Sequence, residues 1–173
     1  MPMPTGNHLE PVDSSLHVFR LARASKDFEE NKSIFPISFE AFEMSSADKE
    51  GTPPHLSVWV ERYTTPSEAY AFLKPESPNK IICWLNVGDI RNISSNVEGT
   101  VYSDLLDVRW VNIENSRSGS EGHAGIIGMD DESLPKGLTK RQEKNLRKDL
   151  RYKLAEIANK NTKDNSRPHI VEL

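Results

Sequence analysis

The chain has 173 residues, 19.6 kDa and a mean hydropathy of -0.61, and it is 36% hydrophobic and 28% charged. That length fits one domain, whose folding removes roughly 70% of the unfolded surface from water, so a core forms without metal or disulfide staples. No run approaches the about 20 apolar residues of a bilayer crossing. The opening Met1–Glu10 lacks the basic and apolar regions of a secretory signal, and the lone Cys83 has no internal disulfide partner, so a cytoplasmic protein is expected. The net charge of -4 hides a division, because residues 1–133 carry -10 and residues 134–163 carry +7.

In chain order, residues 1–14 hold three prolines and read as a flexible lead-in. Leu16–Leu21 alternates as a strand, with Leu16, Val18 and Arg20 on one face and His17, Phe19 and Leu21 on the other. Phe35–Phe42 spaces its aromatics irregularly around Pro36 and reads as a loop or short helix, and residues 44–55 read as turns. Leu56–Tyr63 alternates again. Thr65-Pro-Ser-Glu68 then combines a cap, a first-turn proline and a capping-box glutamate, which starts a short helix that Pro75 stops. The uninterrupted apolar run Ile81–Leu85 is expected at the centre of the sheet, covered on both faces. Helical turns over Asp89–Ile93, a strand over Leu105–Val111, a mobile loop over Asn115–Gly122 and a glycine-weakened strand over His123–Met129 follow.

The clearest element comes last. Thr139 and Gln142 form a second capping box, and Leu146, Leu150, Leu154 and Ile157 draw one apolar stripe along a helix of about five turns. The stripe predicts burial against the sheet, with the helix cations facing away. Residues 164–173 read as a tail whose apolar end is able to dock. The expected fold is α+β: a single mixed or antiparallel sheet of about four to five strands, a short helix, and a long C-terminal amphipathic helix on one face. Residues 15–163 form one domain in this reading.

The five histidines stand singly, with no pair at ligand spacing, so neither metal nor cofactor is expected. No phosphate-cradling glycine loop and no Gly-x-Ser-x-Gly elbow occurs. Cys83 lies in the most apolar run, where burial makes a thiol inert. The most site-like stretch is Glu121–Asp131, in which glycines flank His123 and two carboxylates follow, a pattern compatible with a general base and an acidic helper. The same glycines equally serve tight turns around a structural histidine. Arg20, a charge within an apolar strand, needs a carboxylate, a bound anion or the sheet margin. Convergence of Arg20, Ser57 and His123 at one sheet edge would make a small anion or nucleotide pocket.

The order Val18-Phe-Arg20, Phe39-Glu-Ala-Phe42, Leu56-Ser-Val58 and Gly122-His-Ala-Gly-Ile-Ile-Gly128 resembles a pattern in small bacterial proteins, and that resemblance implies no activity. The leading expectation is a non-enzymatic accessory or antagonist domain that binds another protein, in a bacterial conflict or defence setting, through Lys140, Lys144, Arg147, Lys148 and Arg151. One alternative is a small enzyme using His123, Arg20 and Asp130, with Asp131 able to replace Asp130. The other is nonspecific RNA or DNA binding by the basic helix, directed at the phosphate backbone.

Overall fold

The computed structural model describes residues 10–23, 36–51, 53–73, 81–111, 121–164, 168 and 170–171. Residues 1–9 of the expected lead-in, Phe35, Pro75, residues 115–120 of the expected loop and most of 164–173 lie outside the described residues. The strands are β1 (His17–Ala22), β2 (Leu56–Val60), β3 (Ile81–Asn86), β4 (Ser95–Val97), β5 (Thr100–Tyr102), β6 (Asp107–Trp110) and β7 (His123–Ile127). A 3-10 turn spans Phe39–Phe42, and the α-helices are α1 (Ser46–Glu50), α2 (Pro66–Leu73), α3 (Val87–Arg91) and α4 (Lys140–Asp164). The fold is α+β, with a five-stranded antiparallel sheet in the order β3-β1-β2-β7-β6 and a separate β4–β5 hairpin.

The period-2 patterns divide the core into two layers. Val18, Val58, Val60, Cys83, Leu85, Ala124 and Ile126 face α4, whose Leu146, Leu150 and Leu154 are fully buried among them. Phe19, Leu21, Trp59, Ile82 and Trp84 face the other way and pack with Ala69 and Tyr70 of α2. Both expected capping boxes form. The Thr65 amide donates to Glu68 Oε2 while the Glu68 amide donates to Thr65 Oγ1, and Thr139 and Gln142 repeat this exchange at the start of α4. Such reciprocal bonds satisfy amides that have no partner within the helix.

One expectation is corrected: Ile81–Leu85 is an edge strand, not the centre of the sheet. Its apolar run reflects cover from both layers plus a third contact along its outer margin. There Ile170 bridges Ile81, Trp84 Nε1 donates to the Pro168 carbonyl at 2.7 Å, and Val171 is buried in the second layer. The opposite edge is covered too. Glu10–Val12, within the segment read as a lead-in, run beside β6, where the Val12 amide donates to the Val108 carbonyl and the Trp110 amide to the Glu10 carbonyl, both at 2.9 Å. Pro11 stands between these two bonds opposite Arg109, so its missing N–H leaves the pairing intact. The turns read over residues 44–55 contain α1, with Ser45 and Asp48 making a capping box.

Candidate functional site

Arg20 and Ser57 do converge, around a carboxylate that sequence reasoning missed. β1 pairs with β2 only at Val18↔Val60 and Phe19↔Trp59, whereas it continues along β3 to Ala22. Where the seam opens, Arg20 enters it. Its Nε donates to the Ala41 carbonyl at 2.8 Å, Nη1 to the Ser57 carbonyl at 3.0 Å, and Nη2 to the Glu43 carbonyl and to Asp48 Oδ2 at 3.4 Å. Asp48 Oδ1 accepts from both the amide and the hydroxyl of Ser57, and Oδ2 accepts from the Ser45 amide. The guanidinium and carboxylate thus replace the missing strand rung, bonding the Ser57 carbonyl and amide respectively. Burial alone would raise the Asp48 carboxyl, but Arg20 and the amides of Ser45 and Ser57 outweigh it and hold it below the ordinary value. The Arg20 side chain is 11% exposed and that of Asp48 5%, and Arg20 commits three of its nitrogens to four acceptors. Little donor capacity is left for a bound anion. The signal for Asp48 was Ser45-x-x-Asp48, the same cap logic read correctly at Thr65 and Thr139.

His123 lies directly across from Trp59, on the face of the sheet that also carries the Ser57 side chain. Its ring centroid is 5.4 Å from that of Trp59 and 5.8 Å from that of His55. Burial, then the neighbouring His55, lowers its pKa to about 4, against a smaller opposing pull from Asp48, so the ring is neutral at pH 7. Among the described residues neither His123 Nδ1 nor Trp59 Nε1 has a hydrogen-bond partner. Gly125 admits the His55 ring, because a Cβ there would stand 2.6 Å from it. Gly128, at φ +116, turns the chain against the Leu105 carbonyl, where a Cβ would be 2.0 Å away.

Asp130 stands apart from both groups. It lies in the turn after β7, where its Oδ1 accepts from Ser133 Oγ and its carbonyl accepts the amides of Ser133 and Leu134. The structure therefore brings Arg20 beside the Ser57 carbonyl, puts His123 beside Trp59 and His55 on the face that carries the Ser57 side chain, and leaves Asp130 in a different region. Asp131 pairs with Arg147, not with His123.

The basic helix divides by position. Arg147 is drawn to Asp131 and also donates to the Met129 carbonyl, while Lys153 bonds Asp149 and the Ser94 carbonyl. Lys140, Lys144, Lys148 and Tyr152 recur every four residues and are all exposed, forming a ridge of roughly 18 Å at 1.5 Å per residue. Lys140 makes an i,i+3 contact with Glu143 at 3.2 Å. At the other end Tyr152 meets Phe39 of the 3-10 turn with ring centroids 4.4 Å apart, and Lys148 Nζ sits 5.5 Å from the Phe39 centroid and 5.8 Å from that of Tyr152. Such cation–aromatic geometry fixes a lysine beside an apolar surface. Elsewhere on α4, Arg151 lines an open cleft of about 1140 Å³, floored by Phe42 and Met129 and rimmed by Lys49 and Glu132.

Among the described residues no group of three or more His, Cys, Asp or Glu side chains is placed to hold a metal, and no helix is long and apolar enough to cross a membrane. No family model, curated protein or solved structure matches the chain, so its functional reading comes from its own surface.

Proposed function

We propose that the protein is a non-enzymatic accessory or antagonist domain that docks an acidic segment of another protein along the exposed ridge of α4. One observation carries this reading: the lysines at 140, 144 and 148 lead into the Tyr152–Phe39 pair on a single accessible line. An aromatic anchor beside fixed cations resembles the centre of a protein interface, where aromatic side chains supply area and charges supply orientation. The acidic remainder of the chain disfavours self-docking of a second acidic surface elsewhere and leaves this line as the attractive one for carboxylates.

A phosphate backbone is the weaker fit. Arg147 and Lys153 are spent on neighbouring groups, and the ridge continues past Tyr152 to the exposed Glu156. An extended polyanion following the helix would meet that carboxylate, whereas a short acidic segment with an apolar residue stops at the aromatic pair.

The test titrates the full chain into a labelled glutamate-rich peptide carrying one tryptophan, and in parallel into a labelled poly-uridine strand, each at low and moderate salt. The peptide is expected to bind, and Lys144→Glu with Lys148→Glu is expected to weaken it at least about tenfold, equivalent to ~1.4 kcal/mol. Tighter binding of poly-uridine than of peptide, or indifference of the peptide to the charge reversal, would contradict the reading.

A further inference from the structure

We propose that the cleft beside Arg151 binds a small monocarboxylate with an apolar body, at a site separate from the lysine ridge. Its three walls are held before any ligand arrives. Arg20 grips the carbonyls of Ala41 and Glu43 and so fixes the wall formed by Phe42, Glu43 and Met44. The Ser45–Asp48 capping box, with the amides of Gly51 and His55 both donating to the Asp48 carbonyl, fixes α1 and the turn that carries Pro53 and Pro54. Arg147 donates to the Met129 carbonyl and pairs with Asp131, which ties the turn after β7 to α4. A preformed cleft keeps ordering costs out of binding.

Arg151 is the arginine that this framework leaves over. It stands one helical turn beyond Arg147, half-buried in the cleft lining, and among the described residues its guanidinium has neither a hydrogen bond nor an ion pair. Its planar fork of donors matches the two oxygens of a carboxylate.

The rest of the lining selects what carries that carboxylate. Phe42, Met44, Met129, Pro53 and Pro54 supply apolar surface, and the two thioethers adapt to varied shapes. A peptide main chain fits poorly, because the two prolines have no N–H and the carbonyls of Glu43, Pro53 and Met129 already accept from Arg20, His55 and Arg147. One polar head on a hydrocarbon body needs no such partners. Charge limits that head further: Glu43, Asp130, Asp131 and Glu132 oppose Lys49, Arg147 and Arg151, four carboxylates against three cations, which leaves the lining at -1. A phosphate dianion meets more repulsion there than a single carboxylate does.

The test titrates octanoate into the full chain by calorimetry, beside octanamide, octyl phosphate and the peptide acid acetyl-alanyl-leucine. Octanoate is expected to saturate in the millimolar range and to bind at least about tenfold tighter than the other three, a difference of ~1.4 kcal/mol. Arg151→Met keeps the bulk of the side chain and breaks no bond, so it should fold with an unchanged Tm and lose that preference. Arg151→Lys keeps the charge without the fork and should bind with intermediate affinity. Lys160→Met removes an exposed cation of α4 outside the cleft and should leave octanoate binding within about twofold. Failure of octanoate to saturate, equal binding of octanamide, tighter binding of octyl phosphate or of the peptide, or an unchanged preference in Arg151→Met overturns the inference. A marked fall in the Tm of Arg151→Met also overturns it, since the guanidinium would then be a structural group.

Discussion

Arg20→Ala separates a structural arginine from a substrate-binding one. The substitution removes donors from the carbonyls of Ala41, Glu43 and Ser57 and leaves Asp48, whose side chain is 5% exposed, with only the Ser45 and Ser57 donors. Breaking a buried pair by deleting one partner typically costs about 3–5 kcal/mol, because an uncompensated charge remains. For a chain of this size ~1 kcal/mol shifts Tm by about 2–4 °C, so Tm should fall by about 6–20 °C. Thermal and urea unfolding at pH 7 measure this loss, and the double variant Arg20→Met with Asp48→Asn should recover a large part of it. The carboxyl titrates below its ordinary value in the folded protein. Its contribution is therefore present above the unfolded value near 4 and disappears as pH falls through the folded one, and Asp48→Asn should flatten that acid limb. Loss of under ~1 kcal/mol in Arg20→Ala, or strict additivity in the double variant, would refute the account of the seam.

Three further outcomes follow from the geometry. Leu150→Ala, at a fully buried position under α4, should cost about 2–5 kcal/mol in urea unfolding, and a near-neutral effect would mean that the helix does not clamp the sheet. Burial raises the Cys83 thiol to about 12, so iodoacetamide at pH 8 should leave it unmodified by mass spectrometry until the chain is unfolded; prompt alkylation of the folded protein would contradict its placement. Because His123 titrates near 4 when folded and near 6.5 when unfolded, the unfolded state binds the extra proton between those values, and stability is lost as pH falls through that window. His123→Phe should remove this loss, worth up to about 3 kcal/mol at the acid end, and an unchanged pH profile would show that the ring is not buried as described.

How much of this was legible in the sequence depends on whether a signal was local. Thr65-x-x-Glu68 and Thr139-x-x-Gln142 marked two helix starts because a cap is contained within four residues, and the Leu146–Leu150–Leu154 stripe marked a buried face because its period is fixed by the helix. The position of Ile81–Leu85 was not legible. An apolar run reports how much of a strand is buried but not what buries it, and here Pro168, Ile170 and Val171, far away in sequence, do part of that work. The partner of Arg20 was hidden for the same reason: the need for a carboxylate was clear, but Asp48 is brought to it by the divergence of β1 from β2. Of the five basic residues nominated on the helix, Lys140, Lys144 and Lys148 are exposed, while Arg147 and Arg151 are half-buried. Sequence spacing placed them on the outer face, but it was silent on the claim that Asp131 makes on Arg147.

The most direct test replaces Tyr152 with a photo-crosslinking phenylalanine analogue in the full chain and irradiates it in its native host, with a matched analogue at the exposed Val101 of the β4–β5 hairpin as control. The account predicts a discrete protein adduct from position 152 that is absent from position 101 and is lost when Lys144 and Lys148 are reversed to Glu. Nucleic-acid adducts, or the same protein adducts from both positions, would contradict it.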